Sequence, residues 1–286
     1  MSYRIKIIIA VIFYYLGISY FIFRLTNLLF RRQIRVVNYH GTPRKYHEVL
    51  KQHLLFYNRY YENIDENNLR NFLNNTNDKN VFRGIIISFD DGKRNNFDVA
   101  YPLLEKYGFT GWFMLPVDFM DASKEIQASE IKSDIDLQSE YSDGRFFVDW
   151  EEAELLGRRH VVCVHTASHY RFKSGDNEEL LNLEITDAKL KIESRLNKGV
   201  NSFCWVGGEE SHYTKNAYSK IIDSGFEFSF TTNNKPVLPN ENHYLLNRSN
   251  VETTFSKELF LFHLCGIMDL MYFPKRYRLR KKLCLT

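Results

Sequence analysis

Residues 84–92 read Gly84-Ile85-Ile86-Ile87-Ser88-Phe89-Asp90-Asp91-Gly92. The apolar run has the length of a strand, two carboxylates stand at its end, and the glycine permits a sharp turn there. Adjacent aspartates at a strand end point in different directions. One can then hold an ion while its neighbour faces a water on that ion. Alone, the same triplet serves equally as a solvated turn or a helix cap.

Outward from this stretch, short apolar strands alternate with amphipathic helices. Strands are predicted at Ile34–Asn38, Gly84–Phe89, Thr110–Leu115, Val161–Val164, Ser202–Trp205 and Glu227–Thr231. Helices are predicted at Asn95–Tyr107, Asp149–Leu156, Glu178–Asn197 and Thr214–Ser224, with Gly108 and Gly225 where helix ends belong. The asparagine-rich stretch 63–80 reads as a short surface helix and loop. Repeated strand–helix units with right-handed crossovers imply a mostly parallel sheet, open or closed into a barrel. The polar insertion 118–147 reads as a loop excursion, long enough for a lid or rim.

The 286 residues are 44% apolar and 15% aromatic, which excludes a disordered or collagenous chain. Charge recurs after Arg24, which excludes a polytopic membrane protein. The four cysteines (Cys163, Cys204, Cys265, Cys284) form no CxxC pair and favour a reducing compartment. The net charge of +3 hides a segregation. Arg4, Lys6, Arg24, Arg31, Arg32 and Arg35 precede any acid, and the stretch 275–286 holds bases only. The body between is acidic, unlike a nucleic-acid-binding face.

The chemistry-bearing residues follow strands. His40 follows Ile34–Asn38, Asp90 and Asp91 follow Gly84–Phe89, and His165 and His169 follow Val161–Val164. In a parallel barrel all strand C-termini open on one face, so residues distant in sequence can meet there. The i, i+4 spacing of His165 and His169 puts two imidazoles on one side of a helical turn, able to chelate one ion. Such a pair by itself also fits a surface or core helix.

Taken together, Ser88-Phe89-Asp90-Asp91-Gly92 and His165-Thr166-x-x-His169 resemble the motifs of the polysaccharide deacetylases, the NodB-type family 4 of the carbohydrate esterases. The resemblance runs from Arg35 to about Val251. Val36–His40, Val148-Asp149-Trp150, Ser202–Gly208 and Gly225–Thr232 support it. It implies a distorted (β/α) barrel and one divalent ion, most often zinc. By motif, Asp91, His165 and His169 would be the ligands and Asp90 the general base. The implied reaction is metal-assisted hydrolysis of an N-acetyl group, giving acetate and a free amino sugar.

Two departures stand out. Cys204 occupies the place of the arginine that orients the base in the family, and Arg248 in Leu246-Asn247-Arg248 is a candidate to replace it or to contact substrate. Trp205 is a candidate sugar-stacking residue, with core packing as the alternative. The family's C-terminal Leu-x-x-His-Asp motif is absent. Some branches of the family use a first-strand Tyr-His as general acid, which points to His40; His263 is the nearest imitation of the lost motif. The leading function is an N-deacetylase acting on an acetamido sugar of a surface polysaccharide or its lipid-linked precursor. A deformylase or other amide hydrolase on a lipid-linked sugar is a rival, as is a catalytically silent glycan-binding protein.

The ends concern the membrane. Ile7 to Phe23 is uncharged and at the short end of a spanning helix. No small-residue cleavage site follows it, so an uncleaved anchor or an in-plane helix is expected within residues 1–33. The arginines after the run place the main domain on the cytoplasmic side. Residues 34–257 are expected to form the barrel. Residues 258–286 form an apolar helix and basic tail, a second in-plane anchor or else the last helix of the barrel. With both ends on the leaflet, the barrel mouth would lie close to a lipid-linked substrate.

Overall fold

The computed structural model describes residues 3–75 and 82–283. Cys284 and residues 76–81, part of the asparagine-rich stretch, lie outside them. The strands are β1 Arg32–Tyr39, β2 Glu62–Asn63, β3 Phe82–Phe89, β4 Gly111–Leu115, β5 Val161–Val164, β6 Ser202–Cys204, β7 Phe228–Thr231, β8 Leu246–Asn247 and β9 Ser249–Asn250. All named strand pairs are parallel, in the order β8-β7-β6-β5-β4-β3-β1-β9, with β2 added beside β3. The two ends of this order, β8 and β9, are separated in sequence only by Arg248. The segment 246–250 therefore pairs with β7 on one side and β1 on the other, and closes the sheet into a barrel.

The helices are α1 Tyr3–Tyr15, α2 Ile18–Leu29, α3 His47–Tyr60, α4 Glu66–Asn74, α5 Tyr101–Tyr107, α6 Lys124–Glu130 and α7 Ile135–Glu140. They continue with α8 Trp150–Arg159, α9 Glu178–Leu181, α10 Ala188–Leu196, α11 Lys215–Asp223, α12 Lys257–Leu264, α13 Ile267–Met271 and α14 Phe273–Lys282. The expected strands and helices all occur, with ends shifted by a few residues. A wide-turn segment, Asn182–Asp187, joins α9 to α10 in one continuous helix. The strand reading missed β2, β8 and β9, because two-residue strands leave no periodicity to read, and the helix reading missed α3.

Strand alternation sorts the side chains. Ile34, Val36, Ile86, Trp112, Met114, Cys163, Cys204, Phe228, Phe230 and Leu246 pack together in the barrel interior. Val37, Ile85, Ile87, Val162, Val164 and Phe203 pack with the surrounding helices. Leu69, Phe72 and Leu73 of α4 plug the interior at the N-terminal ends of the strands, where Phe72 meets Phe82. Ile64 comes so close to β3 there that a Cβ on Gly84 would lie 2.5 Å from it. With the bottom filled by apolar side chains, the polar inward positions gather at the opposite, C-terminal end.

The insertion 118–147 carries α6 and α7 and its own apolar cluster, including Phe119, Ile131, Leu137 and Phe147. Ion pairs Lys93–Asp134 (3.0 Å), Lys45–Asp136 (2.6 Å) and Arg94–Asp143 (2.8 Å) tie it to the barrel. It is a folded rim, because these apolar positions bury against one another.

At both chain ends the apolar runs are broken into shorter helices. The apolar N-terminal run is two helices bent by 82° at Gly17, whose φ of +72° breaks the helix. Among the described residues, no single helix is long and apolar enough to cross a membrane. The stretch Leu259–Phe273 is likewise broken at Gly266, and α12 is buried throughout from Glu258 to Leu264. The basic tail folds back as α14. Arg278 bonds Glu210, and Arg276 bonds the carbonyls of Asn233 and Asn234.

Candidate active site

The two aspartates after β3 diverge. Asp90 continues the inward alternation of Ile86 and Ser88 and is buried. Asp91 takes a left-handed backbone (φ +68°), which turns its carboxylate toward the loop after β5. There Asp91 Oδ1 lies 3.1 Å from His169 Nε2 and 3.7 Å from His165 Nε2. The three donor atoms fall within 4.8 Å of one another.

The histidine loop is not the helical turn expected from its spacing. His165 leaves β5 with its N–H on the Leu115 carbonyl, then Thr166 (φ +62°) and His169 (φ +61°) adopt left-handed conformations. Backbone strain of this kind persists only where the surroundings hold it. Here the brace is Glu184, from the wide-turn segment between α9 and α10, 2% exposed. Its carboxylate accepts the N–H groups of Ala167 and Ser168, both at 3.0 Å, and the Ser168 hydroxyl at 2.6 Å. The sequence reading missed Glu184. The available signal was a carboxylate on the apolar stripe of Leu181, Ile185, Ala188 and Ile192.

The donor set fits a divalent ion. His165 donates from Nδ1 to the Cys204 carbonyl (2.9 Å), which leaves Nε2 as the lone-pair nitrogen facing Asp91. Among the described residues Asp90, His165 and Cys204 also lie within 4.8 Å of one another. That set is the poorer one. Both Asp90 oxygens are engaged by Arg248, and burial pushes the Cys204 thiol far above its ordinary pKa.

Arg248 lies between β8 and β9, pointing inward two positions after Leu246. It donates from Nη1 to Asp90 Oδ1 (2.6 Å) and from Nη2 to Oδ2 (2.8 Å), and it is fully buried. It therefore stands where the missing arginine would act, as the partner of Asp90. As a substrate contact it is corrected, since its guanidinium has no open face. Burial pushes the Asp90 carboxyl upward, but the charge of Arg248, with that of His40, outweighs burial and holds it below the ordinary range. Asn38 adds a bond to Asp90 at 3.3 Å.

Trp205 is also corrected. It is 1% exposed, donates to Ser229 Oγ at 2.7 Å and packs against Phe172, Phe203 and Tyr213. Its apolar faces are spent in the core. Aromatic surface near the triad comes from Phe119 and Phe147, which with Asp91, His169, Ile131 and Asp134 line a cavity of about 490 Å³ under the rim. Lys93 reaches into the same cavity, 3.6 Å from Asp91.

His40 and His263 separate cleanly. His40 sits at the rim after β1, its side chain 41% exposed, with Nδ1 2.5 Å from Glu252 Oε1 and its backbone N–H on the other Glu252 oxygen. Burial opposes the charged ring, but Glu252 outweighs it, and Asp91 and Asp90 add to the effect; the pKa rises to about 9. His263 is 6% exposed in α12 against Phe255, and burial lowers its pKa to about 4. It holds no proton to give at neutral pH. Glu252 carries no local signal in sequence; only the β9 turn brings it under His40.

A family model for polysaccharide deacetylase matches residues 77–222, just over half of the chain. No curated protein matches. Among solved structures, the chain is similar to the Streptococcus pyogenes deacetylase PplD in complex with acetate, with a TM-score of 0.63 and 16% identity, over 82% of this chain and 99% of that one. It is similar to IcaB from Ammonifex degensii, with a TM-score of 0.62 and 15% identity over 82% and 97%. It is also similar to a de-N-acetylase from Aggregatibacter actinomycetemcomitans, at 0.62 and 15% over 80% and 98%. At these identities the structural likeness carries the barrel fold alone.

Proposed function

Since the chain belongs to the polysaccharide deacetylase family, a family of hydrolases of carbon–nitrogen, non-peptide bonds, we propose that it removes acetyl from an acetamido sugar of a surface polysaccharide or of its lipid-linked precursor. The observation that carries this reading is the meeting of three sets of residues at one barrel end: the Asp91–His165–His169 triad, the Asp90–Arg248 pair and the His40–Glu252 pair.

A divalent ion, zinc by the preference of this donor set, would be held by Asp91, His165 and His169, and would acidify a water and polarise the acetamide carbonyl. Asp90 accepts the proton of the attacking water. The two Arg248 bonds give its carboxylate one orientation and keep it ionised. His40, protonated through neutral pH by its pairing with Glu252, delivers a proton to the departing amine. The cavity beside the triad, which Phe119, Phe147 and Ile131 back, would receive the sugar ring, and Glu184 keeps the histidine loop in register.

The test is amine release from an N-acetylglucosamine oligosaccharide by the purified full-length protein, with metal content measured in parallel. Asp90→Asn keeps the ion and loses turnover; His165→Ala loses both. Equal metal in wild type and His165→Ala after dialysis refutes the ligand assignment. Faster release from the N-formyl than from the N-acetyl oligosaccharide transfers the function to deformylation.

A further inference from the structure

Helices α1 and α2 have a committed inner face and an uncommitted outer one. On the inner face, Ala10 packs with Leu259, Phe262 and Met268. Phe23 enters the main core, its ring 5.5 Å from Phe56 and 5.2 Å from Tyr60. Thr26 Oγ1 donates to the Cys265 carbonyl at 3.2 Å, and Asn27 accepts from Gln33 at 3.0 Å. The outer face is apolar and open: Ile8 is 59% exposed, Leu16 69%, Phe21 66% and Leu28 69%. Across the corner of α13 and α14, Leu270 and Phe273 are exposed by 78% and 63%. The two parts meet where Lys6 of α1 and Met271 and Tyr272 line one cavity. An exposed apolar surface of this extent marks an interaction site.

We propose that this flank seats flat on an anionic phospholipid leaflet, with no helix crossing it. Crossing would require opening the 82° elbow and stripping Phe23, Thr26 and Asn27 from the barrel. The charge pattern selects the partner. Residues 1–34 contain no acid, and Arg4, Arg24 and Arg31 stand exposed around the apolar face. The one acid in residues 259–286, Asp269, is taken up by Arg35 in two bonds of 2.8 Å. A second copy of the chain would bring like charges together, whereas an anionic leaflet neutralises them. The cavity at the junction, about 710 Å³, runs from Lys6 and Tyr272 to Thr232 and Asn250, beside the C-terminal strand ends; its wall also carries Glu209, beside His212, and Glu210, which Arg278 neutralises. Seating the flank therefore lays the side of the barrel along the leaflet. This docking goes beyond the catalytic reading and does not depend on it.

The test is cosedimentation of the full-length protein with preformed vesicles of phosphatidylcholine, with and without phosphatidylglycerol. Binding to the anionic vesicles is expected to be about tenfold or more tighter than to neutral ones, to weaken in molar salt, and to be reversed by alkaline carbonate. Phe21→Glu/Leu28→Glu, both on the exposed face, should weaken it about tenfold or more with an unchanged melting temperature. Wild-type protein left in the supernatant with anionic vesicles overturns the proposal, as does a double variant that binds like wild type. Resistance to carbonate overturns it in favour of a span. A solution dimer dissociated by the same two substitutions overturns it in favour of a second copy.

Discussion

Replacing Arg248 with methionine tests the core of the site. Asp90 is 3% exposed, and among the described residues Arg248 alone gives it cationic hydrogen bonds, at 2.6 and 2.8 Å. Removing one partner of a buried ion pair leaves an uncompensated charge and costs about 3–5 kcal/mol. The remaining bond from Asn38, at 3.3 Å, is too long to offset that. A domain of this size has roughly 5–15 kcal/mol in hand, so the variant should still fold, measurably weakened. In Arg248→Met/Asp90→Asn the stranded charge is gone, and much of the loss should return. Urea denaturation of wild type, both single variants and the double variant completes a double-mutant cycle. The expected coupling is at least ~2 kcal/mol, with the double variant more stable than Arg248→Met. Turnover of Arg248→Met should fall as far as that of Asp90→Asn, because an unpaired buried carboxylate takes up a proton and ceases to be a base. Additive stabilities, or Arg248→Met turning over normally, would refute the assignment of Arg248 as the partner of Asp90. Arg248→Lys should rescue only part of either loss, since an ammonium lacks the two-pronged geometry.

Three further outcomes follow from the same geometry. Glu184→Ala removes the acceptor of the Ser168 N–H and hydroxyl and leaves the Ala167 N–H only the backbone carbonyl of residue 184 at 3.1 Å; it should cost about 1–3 kcal/mol in urea denaturation and weaken metal affinity ~10–100-fold by equilibrium dialysis, whereas a loop independent of Glu184 would leave metal binding unchanged. His40→Ala should lower turnover ~10²–10⁴-fold with metal content intact, while Glu252→Gln should move the alkaline limb of the pH–rate profile downward from about 9; an unmoved limb excludes His40 as the group titrating there. His53 and His263 are buried neutral, with pKa lowered to about 3 and about 4 by burial; the unfolded chain takes up those protons near 6.5, so stability should fall as pH drops from 6.5 toward 4, and His263→Phe should flatten that fall in pH-dependent urea midpoints.

The six longer strands and the four helices that follow them from Asn95 onward were legible because each announces itself locally, whereas α3, the helices of the insertion and the two-residue strands were not. The apolar runs ending in Asp90-Asp91 and in His165 are contiguous, as are the motifs that follow them, so the triad could be assembled on the rule that parallel strands end on one face. The side-chain directions were not legible. Nothing local places Thr166 and His169 in left-handed conformations, since the brace comes from Glu184 on the next helix. The same limit misassigned Trp205, because a residue just past a strand faces the cleft or the core according to alternation and the helices that cover it.

What the sequence by itself determined is the set of chemical groups and the parallel strand–helix order that carries them, because hydrophobic periodicity and strand-end motifs are properties of neighbouring residues; closure into a barrel was implied only by the family resemblance. What only the tertiary structure decided is which charges meet. Asp90 and Arg248 pair across 158 positions, and His40 and Glu252 across 212. The short β8–β9 segment closes the barrel and delivers Arg248 to its interior and Glu252 to its rim, and a segment so short carries no periodic signal. The same holds at the termini. The apolar run was plain in the sequence, but the elbow at Gly17 and the burial of Phe23 and Ala10 depend on α3 and α12, which lie far along the chain. Long-range packing decided that these helices lie along the barrel with one face left open.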